Sequence, residues 1–142
     1  MNLKDINLDQ IPSQHLATLV SCAADEVLVQ NVEGDLANVI KSAKSCDLWF
    51  YHTTLDVSQT KLVVEALKDR IEVLYIGPGV SLDFDTLQQY DGSGKCREIV
   101  AHYTPSVPHK SILVNYGKVL GWKTEEMDGE DDEDYWLCIK RH

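Results

Sequence analysis

The chain has 142 residues, of which 44% are hydrophobic and 25% are charged, and its formal net charge at pH 7 is −10. This length and composition predict a single globular domain, residues 1–142. The negative charge argues against nucleic acids and anionic membranes as partners, because both require a basic protein surface. No apolar run approaches the roughly 20 residues that a membrane span needs.

The start of the chain and its cysteines bear on the cellular compartment. The chain is polar from its second residue and has no apolar signal core, which argues against secretion. The cysteines are widely separated and form no Cys-x-x-Cys pair, so we interpret them as small reduced residues: Cys22, Cys46, Cys96 and Cys138. A cytoplasmic protein is expected.

Short apolar strands alternate with amphipathic helices along most of the chain. Aliphatic and aromatic runs favour strands, whereas apolar residues spaced by three and four predict helices. Ser13, Asp35, and either Asp56 or Ser58 are placed to cap three of these helices. In chain order, the predicted elements are a strand (3–8), a helix (13–23), a strand (26–29), a helix (36–43), a strand (48–51), a helix (58–70), a strand (73–76), a short helical turn (83–90), a strand (98–101) and a helix from Pro108 to Gly121.

The last part of the chain has a different pattern. Residues 122–125 and 135–140 predict an antiparallel pair of strands. Between them, every residue from Glu125 to Asp134 is acidic except Met127 and Gly129. We expect residues 125–134 to form a solvated acidic loop.

The predicted strands recur at a regular interval. Residues 26–31, 47–52 and 72–77 align without a gap, and each of these segments opens with an acidic residue. Each interval holds a helix, which is what a parallel sheet needs between neighbouring strands. The starts lie about 21 to 25 residues apart, near Lys4, Glu26, Asp47, Glu72 and Arg97.

This repeat resembles a degenerate leucine-rich repeat of the helix-bearing, ribonuclease-inhibitor type, as found at the C-terminal end of cytosolic nucleotide-binding immune receptors. The resemblance covers residues 3–103, and Asn31 is the one match to the repeat asparagine. It implies an α/β fold, a mainly parallel sheet of strand–helix units that ends in a helix and an antiparallel strand pair. Residues 106–142 would then form a C-terminal cap that carries the acidic loop.

The resemblance also implies a function. A domain of this kind is a non-enzymatic protein–protein interaction module, and this chain would be the terminal piece of a larger cytosolic receptor or adaptor of innate immunity. The competing architecture is a compact doubly wound sheet with helices on both faces, since residues 48–51 (Leu-Trp-Phe-Tyr) are apolar enough to be covered on both sides. Both architectures are α/β with a mainly parallel sheet.

Alternate strand positions are the candidate binding residues. If the helices cover one face of the sheet, we expect Val27, Val29, Leu48, Phe50, Val73 and Tyr75 to point toward them. The opposite face is then open, and aromatic anchors there favour a protein partner. The partner-binding residues predicted on that open face are Leu28, Trp49, Tyr51, Leu74 and Ile76.

The alternative function is a small α/β enzyme or ligand-binding domain. Its site would lie at the carboxyl ends of the parallel strands. No histidine spacing matches a zinc site, and the acidic run lacks the spacing of a calcium loop, so no metal, cofactor or catalytic residue is predicted. The residues of this alternative site are Asn31, His52, Thr53, Gly77, Gly79 and His102.

Overall fold

A computed structural model of the chain describes residues 1–22, 25–44, 47–103, 109–128 and 135–142. Strands and helices alternate along it, as the sequence predicts. The strands are β1 (Asn2–Lys4), β2 (Glu26–Gln30), β3 (Asp47–Tyr51), β4 (Thr54–Leu55), β5 (Val73–Ile76), β6 (Ser81–Leu82), β7 (Glu98–Tyr103), β8 (Lys123–Asp128) and β9 (Tyr135–Lys140). The helices are α1 (Ser13–Ser21), α2 (Ala37–Ser42), α3 (Val57–Asp69), α4 (Phe84–Leu87) and α5 (His109–Leu120).

Seven strands form one sheet in the order β1-β2-β3-β5-β7-β9-β8. The first five are parallel to one another, whereas β9 is antiparallel to both β7 and β8. The predicted α/β class, with a mainly parallel sheet and a terminal antiparallel pair, is therefore confirmed. The returning strand β9 lies between β7 and β8, so that β8 becomes the edge of the sheet.

The described helices all pack on one face of this sheet. The five parallel strands are adjacent in chain order, and right-handed crossovers between such neighbours place every helix on the same side. Accordingly, α1 contacts α2, α2 contacts α3, and α3 contacts α4. Helix α5 contacts β8 and β9, and its Gly117 lies against Ile139 on the helix side. This arrangement differs from the doubly wound alternative.

The core lies between the sheet and these helices. Cross-strand pairing aligns one buried residue from each of five neighbouring strands on the helix side: Val27, Leu48, Leu74, Ile99 and Ile139. Helix α3 contributes Val63 and Leu67 to this core, as its apolar periodicity predicts. None of the described helices combines the length and apolar character that crossing a membrane requires.

The loops that leave the first three strands share a backbone conformation. The residue directly after each of these strands has a positive φ between 46° and 55°: Asp5 after β1, Asn31 after β2 and His52 after β3. Asn, Asp and His adopt this left-handed region more readily than most residues. Beyond these turns the chain pairs again in parallel, through an Asn7–Glu33 bridge and the β4–β6 pair. The sequence pattern did not predict this second row of pairing.

Of the predicted helix caps, Ser13 was wrong: it is the first residue of α1, Pro12 occupies the cap position, and no side chain caps this helix. The other predicted caps lie at helix boundaries. The Asp56 carboxylate accepts a hydrogen bond from the Gln59 amide at 2.8 Å, and the Gln59 side chain accepts one from the Asp56 amide at 3.1 Å. This capping box confirms Asp56, rather than Ser58, as the cap of α3. Asp35 accepts a hydrogen bond from the Ala37 amide before α2, and Gly121 follows α5 with a φ of 71°.

Two boundary predictions were wrong. The predicted strand 3–8 is shorter, because a 3-10 turn at Leu8–Gln10 begins where that strand was expected to end. Glu125, Glu126 and Asp128 belong to β8 and pair with β9, so the acidic stretch begins in a strand and not in a loop. The remaining part of the predicted acidic loop, residues 129–134, lies outside the described residues.

Arg70 joins two helices at the end of the core. It lies just after α3, and its Nη1 donates to the carbonyl oxygens of Ile40 at 3.1 Å and Ala43 at 2.9 Å, and also to that of Lys41. These carbonyls belong to the last turn of α2, where no intrahelical donor remains. A guanidinium there satisfies them and complements the negative end of the helix dipole.

We expect Arg70→Met to lower the free energy of unfolding by about 2 kcal/mol, the magnitude of hydrogen bonds made by a charged group. Arg70→Lys should recover only part of this loss, because an ammonium lacks the planar fork of donors. Urea unfolding followed by circular dichroism measures both effects. The matched control is Lys61→Met on the exposed side of α3; an equal loss in that control contradicts the specific role of Arg70.

Candidate binding surface on the open face of the sheet

The open face is the side of the seven-stranded sheet opposite the helices. Strand side chains alternate between the two faces, so the cross-strand register decides which residues lie on each. Trp49 pairs with Tyr75, and Tyr51 follows Trp49 on the same face two residues later. The partly exposed side chains on this face are Leu28, Gln30, Trp49, Tyr51, Tyr75, His102 and Trp136.

Three of these side chains form an aromatic cluster, defined as Tyr51, Trp49 and Tyr75. The Trp49 and Tyr75 rings are stacked with centroids 3.4 Å apart and planes 9° apart, and the Tyr51 ring lies 5.9 Å from Trp49 at 14°. The indole Nε1 of Trp49 is buried and has no hydrogen-bond partner among the described residues. The three stacked rings therefore form one continuous aromatic surface on the open face.

A second aromatic contact lies at the other end of the open face. The His102 ring on β7 packs edge-on against Trp136 on β9, with centroids 5.2 Å apart. Between this pair and the aromatic cluster lie smaller side chains, Val100 and Cys138, both of which are buried. The rings thus shield part of a face that none of the described helices covers.

Two of the predicted partner-binding residues do not lie on this face. Leu74 and Ile76 are 1% and 5% exposed and belong to the core on the helix side, whereas Val73 and Tyr75 lie on the open face. The gapless alignment equated Glu72 with Asp47, but the sheet pairs Asp47 with Val73. That offset of one residue reverses the face of every side chain in β5.

The open-face positions predicted for Leu28, Trp49 and Tyr51 agree with the register. Tyr75 and Trp136 were missed as candidates on this face. Tyr75 could have been recognised from its chemistry, because aromatic residues favour directly opposite aromatic partners across strands.

Gly77 allows the Tyr51 ring to lie flat against the sheet. A Cβ atom at position 77 would come within 2.4 Å of Tyr51 Cδ1 and 2.9 Å of the Phe50 carbonyl oxygen. The backbone at Gly77 is also tied to β3, since its amide donates to the Phe50 carbonyl at 2.8 Å. The glycine therefore allows close packing of an aromatic ring, a role that its placement in the alternative ligand site did not predict.

Carboxylates lie along the edge of the sheet where the parallel strands begin, and the register places those of Glu26, Asp47 and Glu98 in one row on the open face. We name Glu26, Asp47, Glu72 and Glu98 the acidic border; they lie at or just before the first residues of β2, β3, β5 and β7. Partial burial raises the pKa of the Asp47 carboxyl, and the Arg97 guanidinium opposes this shift. The other three carboxylates of the border raise it further.

The two buried thiols of the described residues are poor nucleophiles. Burial raises the pKa of Cys96 to about 11, and burial together with a hydrogen bond to Glu98 raises the pKa of Cys138 to about 12. Cys138 Sγ donates to Glu98 Oε1 at 2.8 Å. Both thiols remain protonated at neutral pH. Cys46 lies outside the described residues.

The six residues of the alternative ligand site have different surroundings among the described residues. His52 lies against Gly79, Thr53 is buried and donates to the Tyr51 carbonyl, and His102 belongs to the open face. A cleft of about 340 Å³ near β1 contains only Asn31 from this set. Its lining is mostly polar: Asp5, Ile6, Asn7, Gln10, Asn31 and Glu33.

Asn31 in that cleft already has a partner, since its Nδ2 donates to Asp5 Oδ1 at 2.6 Å. No group of three or more His, Cys, Asp or Glu side chains within the described ranges is arranged to hold a metal ion. No family model, curated protein or solved structure matches this chain. The open face is therefore the candidate functional site.

We expect Gly77→Ala to lower the free energy of unfolding by about 1–3 kcal/mol, because the added methyl group displaces the Tyr51 ring and crowds the Phe50 carbonyl. Removing that ring should relieve part of the clash, so that Gly77→Ala/Tyr51→Ala loses less stability than the sum of the two single variants. A double-mutant cycle in urea measures this coupling. Strict additivity contradicts a contact between the ring and position 77.

We expect Asp47→Asn to stabilise the protein at pH 7. The pKa of Asp47 is higher in the folded protein than in the unfolded chain. Ionisation of this carboxyl therefore lowers the free energy of unfolding as the pH rises through the folded-state pKa. Asn cannot ionise, so its advantage should vanish as the pH falls below the ordinary carboxyl value of 3.8. Urea unfolding across this pH range, with Glu65→Gln on α3 as the control, tests the sign. A loss of stability at pH 7 refutes the expectation.

Proposed function

We propose that the protein is a non-enzymatic interaction module that binds a protein partner through the aromatic cluster on its open sheet face. The observation that carries this proposal is the stack of Tyr51, Trp49 and Tyr75, partly exposed on a face that no described helix covers. Tyr and Trp dominate the energetics of protein interfaces, because they bury a large area at a small cost in side-chain entropy.

The leucine-rich-repeat character is part of this proposal. Three features support it: the parallel strands are adjacent in chain order, their helices share one face, and the same left-handed turn follows β1, β2 and β3. Repeat proteins of this kind bind partners on an extended sheet face. The chain would then be the terminal piece of a larger cytoplasmic receptor or adaptor, and a role in innate immunity belongs to the same hypothesis.

The chemistry of the described side chains supports the non-enzymatic character of this proposal. An active site needs a nucleophile or an acid–base pair at mutual hydrogen-bond distance within one cleft. Here the buried thiols have raised pKa values, and His52 and His102 lie in different environments. These placements favour binding over catalysis.

The test is partner capture by the face variant Tyr51→Ser/Tyr75→Ser. Its matched control is Leu19→Ser/Val119→Ser, which removes two apolar side chains that are 41% and 82% exposed on α1 and α5. We expect proteins retained by the wild type and by the control to be lost from the face variant, because only that variant removes the interface anchors. Quantitative pull-down from cytosolic extract measures the difference.

Circular dichroism and urea unfolding establish that the face variant is folded. Should it unfold, the single variant Tyr51→Ser replaces it, since Tyr51 lies at the outer side of the stack. The proposal fails if the wild type retains no protein, or if the face variant retains the same proteins as the control.

A further inference from the structure

The acidic border lies beside the aromatic cluster on the same face. Asp47 precedes Trp49 by two residues on β3, and Glu26 precedes Leu28 by two residues on β2. Side chains two residues apart on one strand point to the same face and lie roughly 7 Å apart. A partner that covers the rings therefore also covers these carboxylates.

The pKa values of the two tyrosines in the aromatic cluster show that the carboxylates of the acidic border lie close to these rings. Burial raises the pKa of the Tyr75 phenol, and the Asp47 carboxylate raises it further. Burial also raises the pKa of the Tyr51 phenol, and the Glu26 carboxylate raises it further. The negative potential of the border thus extends over the aromatic cluster.

The cations near the border leave this potential only partly compensated. Arg97 lies 4.0 Å from Glu72 and 3.7 Å from Glu98, and the Met1 amino group donates to the backbone carbonyl of Glu26. Within the described part of the chain, no cationic side chain lies within 4 Å of the carboxylates of Glu26 and Asp47. The pair Asp47 and Glu26 is therefore open to a cation from a partner.

The lysines that the register places on the open face lie away from Glu26 and Asp47. Lys4 on β1 is opposite Gln30, at the other end of β2 from Glu26, and two more lie on β9 and β8. In the row of residues that contains Asp47 and Glu98, the positions on β9 and β8 are Lys140 and Lys123. Lys123 is already paired with Glu125 at 2.7 Å. The row at the strand starts is thus acidic on β2, β3 and β7 and basic on β9 and β8, so a cationic partner is attracted to the side of the open face that carries the aromatic cluster.

We propose that the occupant of the open face is a basic polypeptide segment, whose Lys or Arg side chains pair with Glu26 and Asp47 while their aliphatic stems contact Trp49 and Tyr75. This inference rests on the proposed function and specifies the partner's chemistry. Long cationic side chains suit such a surface, because their stems cover aromatic rings while the charged ends reach carboxylates. A nucleic acid would instead bring phosphates to the acidic border.

The experiment uses a fluorescent synthetic peptide with Arg at alternate positions and Leu and Ser between them, and a matched peptide with Gln in place of Arg. Binding to the full chain is measured by fluorescence anisotropy at low and at physiological ionic strength. The border variant is Glu26→Gln/Asp47→Asn. Its matched control, Glu65→Gln/Asp69→Asn on the exposed side of α3, makes the same change in net charge.

We expect the wild type to bind the Arg peptide and not the Gln peptide, and salt to weaken the complex. The border variant should bind about fivefold more weakly, because two exposed ion pairs are lost, whereas the α3 control should match the wild type. The face variant Tyr51→Ser/Tyr75→Ser should also weaken binding. Circular dichroism and urea unfolding of the border variant separate weaker binding from unfolding, and Asp47→Asn is expected to stabilise the fold.

The inference is overturned if the wild type does not prefer the Arg peptide to the Gln peptide. It is also overturned if the border variant and the α3 control lose affinity equally, because the attraction then comes from net charge alone. The pull-down distinguishes failure of this inference from failure of the proposed function. If the face variant loses its partners while the border variant keeps them, the open face binds protein but the partner is not basic.

Discussion

The register between β3 and β5 is the constraint on which the open face depends. In this sheet Trp49 lies opposite Tyr75, and Leu48 lies opposite Leu74. Because strand side chains alternate strictly, this one pairing assigns the aliphatic residues of β5 to the core and its tyrosine to the open face. A shift by one residue would expose Leu74 and Ile76 and would bury Tyr75 under the helices.

The single-sided placement of the helices explains why that assignment matters. A parallel sheet is usually covered on both faces, and its strands are then apolar on both sides. Here the described helices cover one face, and aromatic rings partly shield the other, leaving Val73 and Val100 buried beneath or beside them. The rings therefore have two roles: they complete the burial of the sheet, and they remain exposed enough to serve as anchors for a partner.

The acidic border is unfavourable for the isolated fold. Burial and neighbouring carboxylates raise the pKa of Asp47, and Arg97 compensates only in part. Elsewhere the chain matches its charges well: Arg70 satisfies the carbonyls at the end of α2, and Arg141 donates to the carbonyls of Gly94 and Gly92. A local conflict in an otherwise consistent fold is often associated with function, because a binding partner can supply the missing countercharge.

Local patterns account for most of the secondary structure. Apolar periodicity, the cap at Asp56 and the glycine after α5 identify strands, helices and the α/β class, because each of these signals acts within a few residues of the chain. The αL turns at Asp5, Asn31 and His52 and the second row of pairing were not visible in this way, since Asp, Asn and His also occur in ordinary loops.

The faces of the strands required tertiary information. Leu28, Trp49 and Tyr51 were placed correctly from alternation within β2 and β3, whereas Leu74 and Ile76 were not, because β5 begins one residue later relative to its acidic residue than β3 does. Trp136 reached the open face only because β9 returns between β7 and β8. Alternation within a strand is a local property, but the register between strands is set by cross-strand hydrogen bonds and packing between residues distant in sequence.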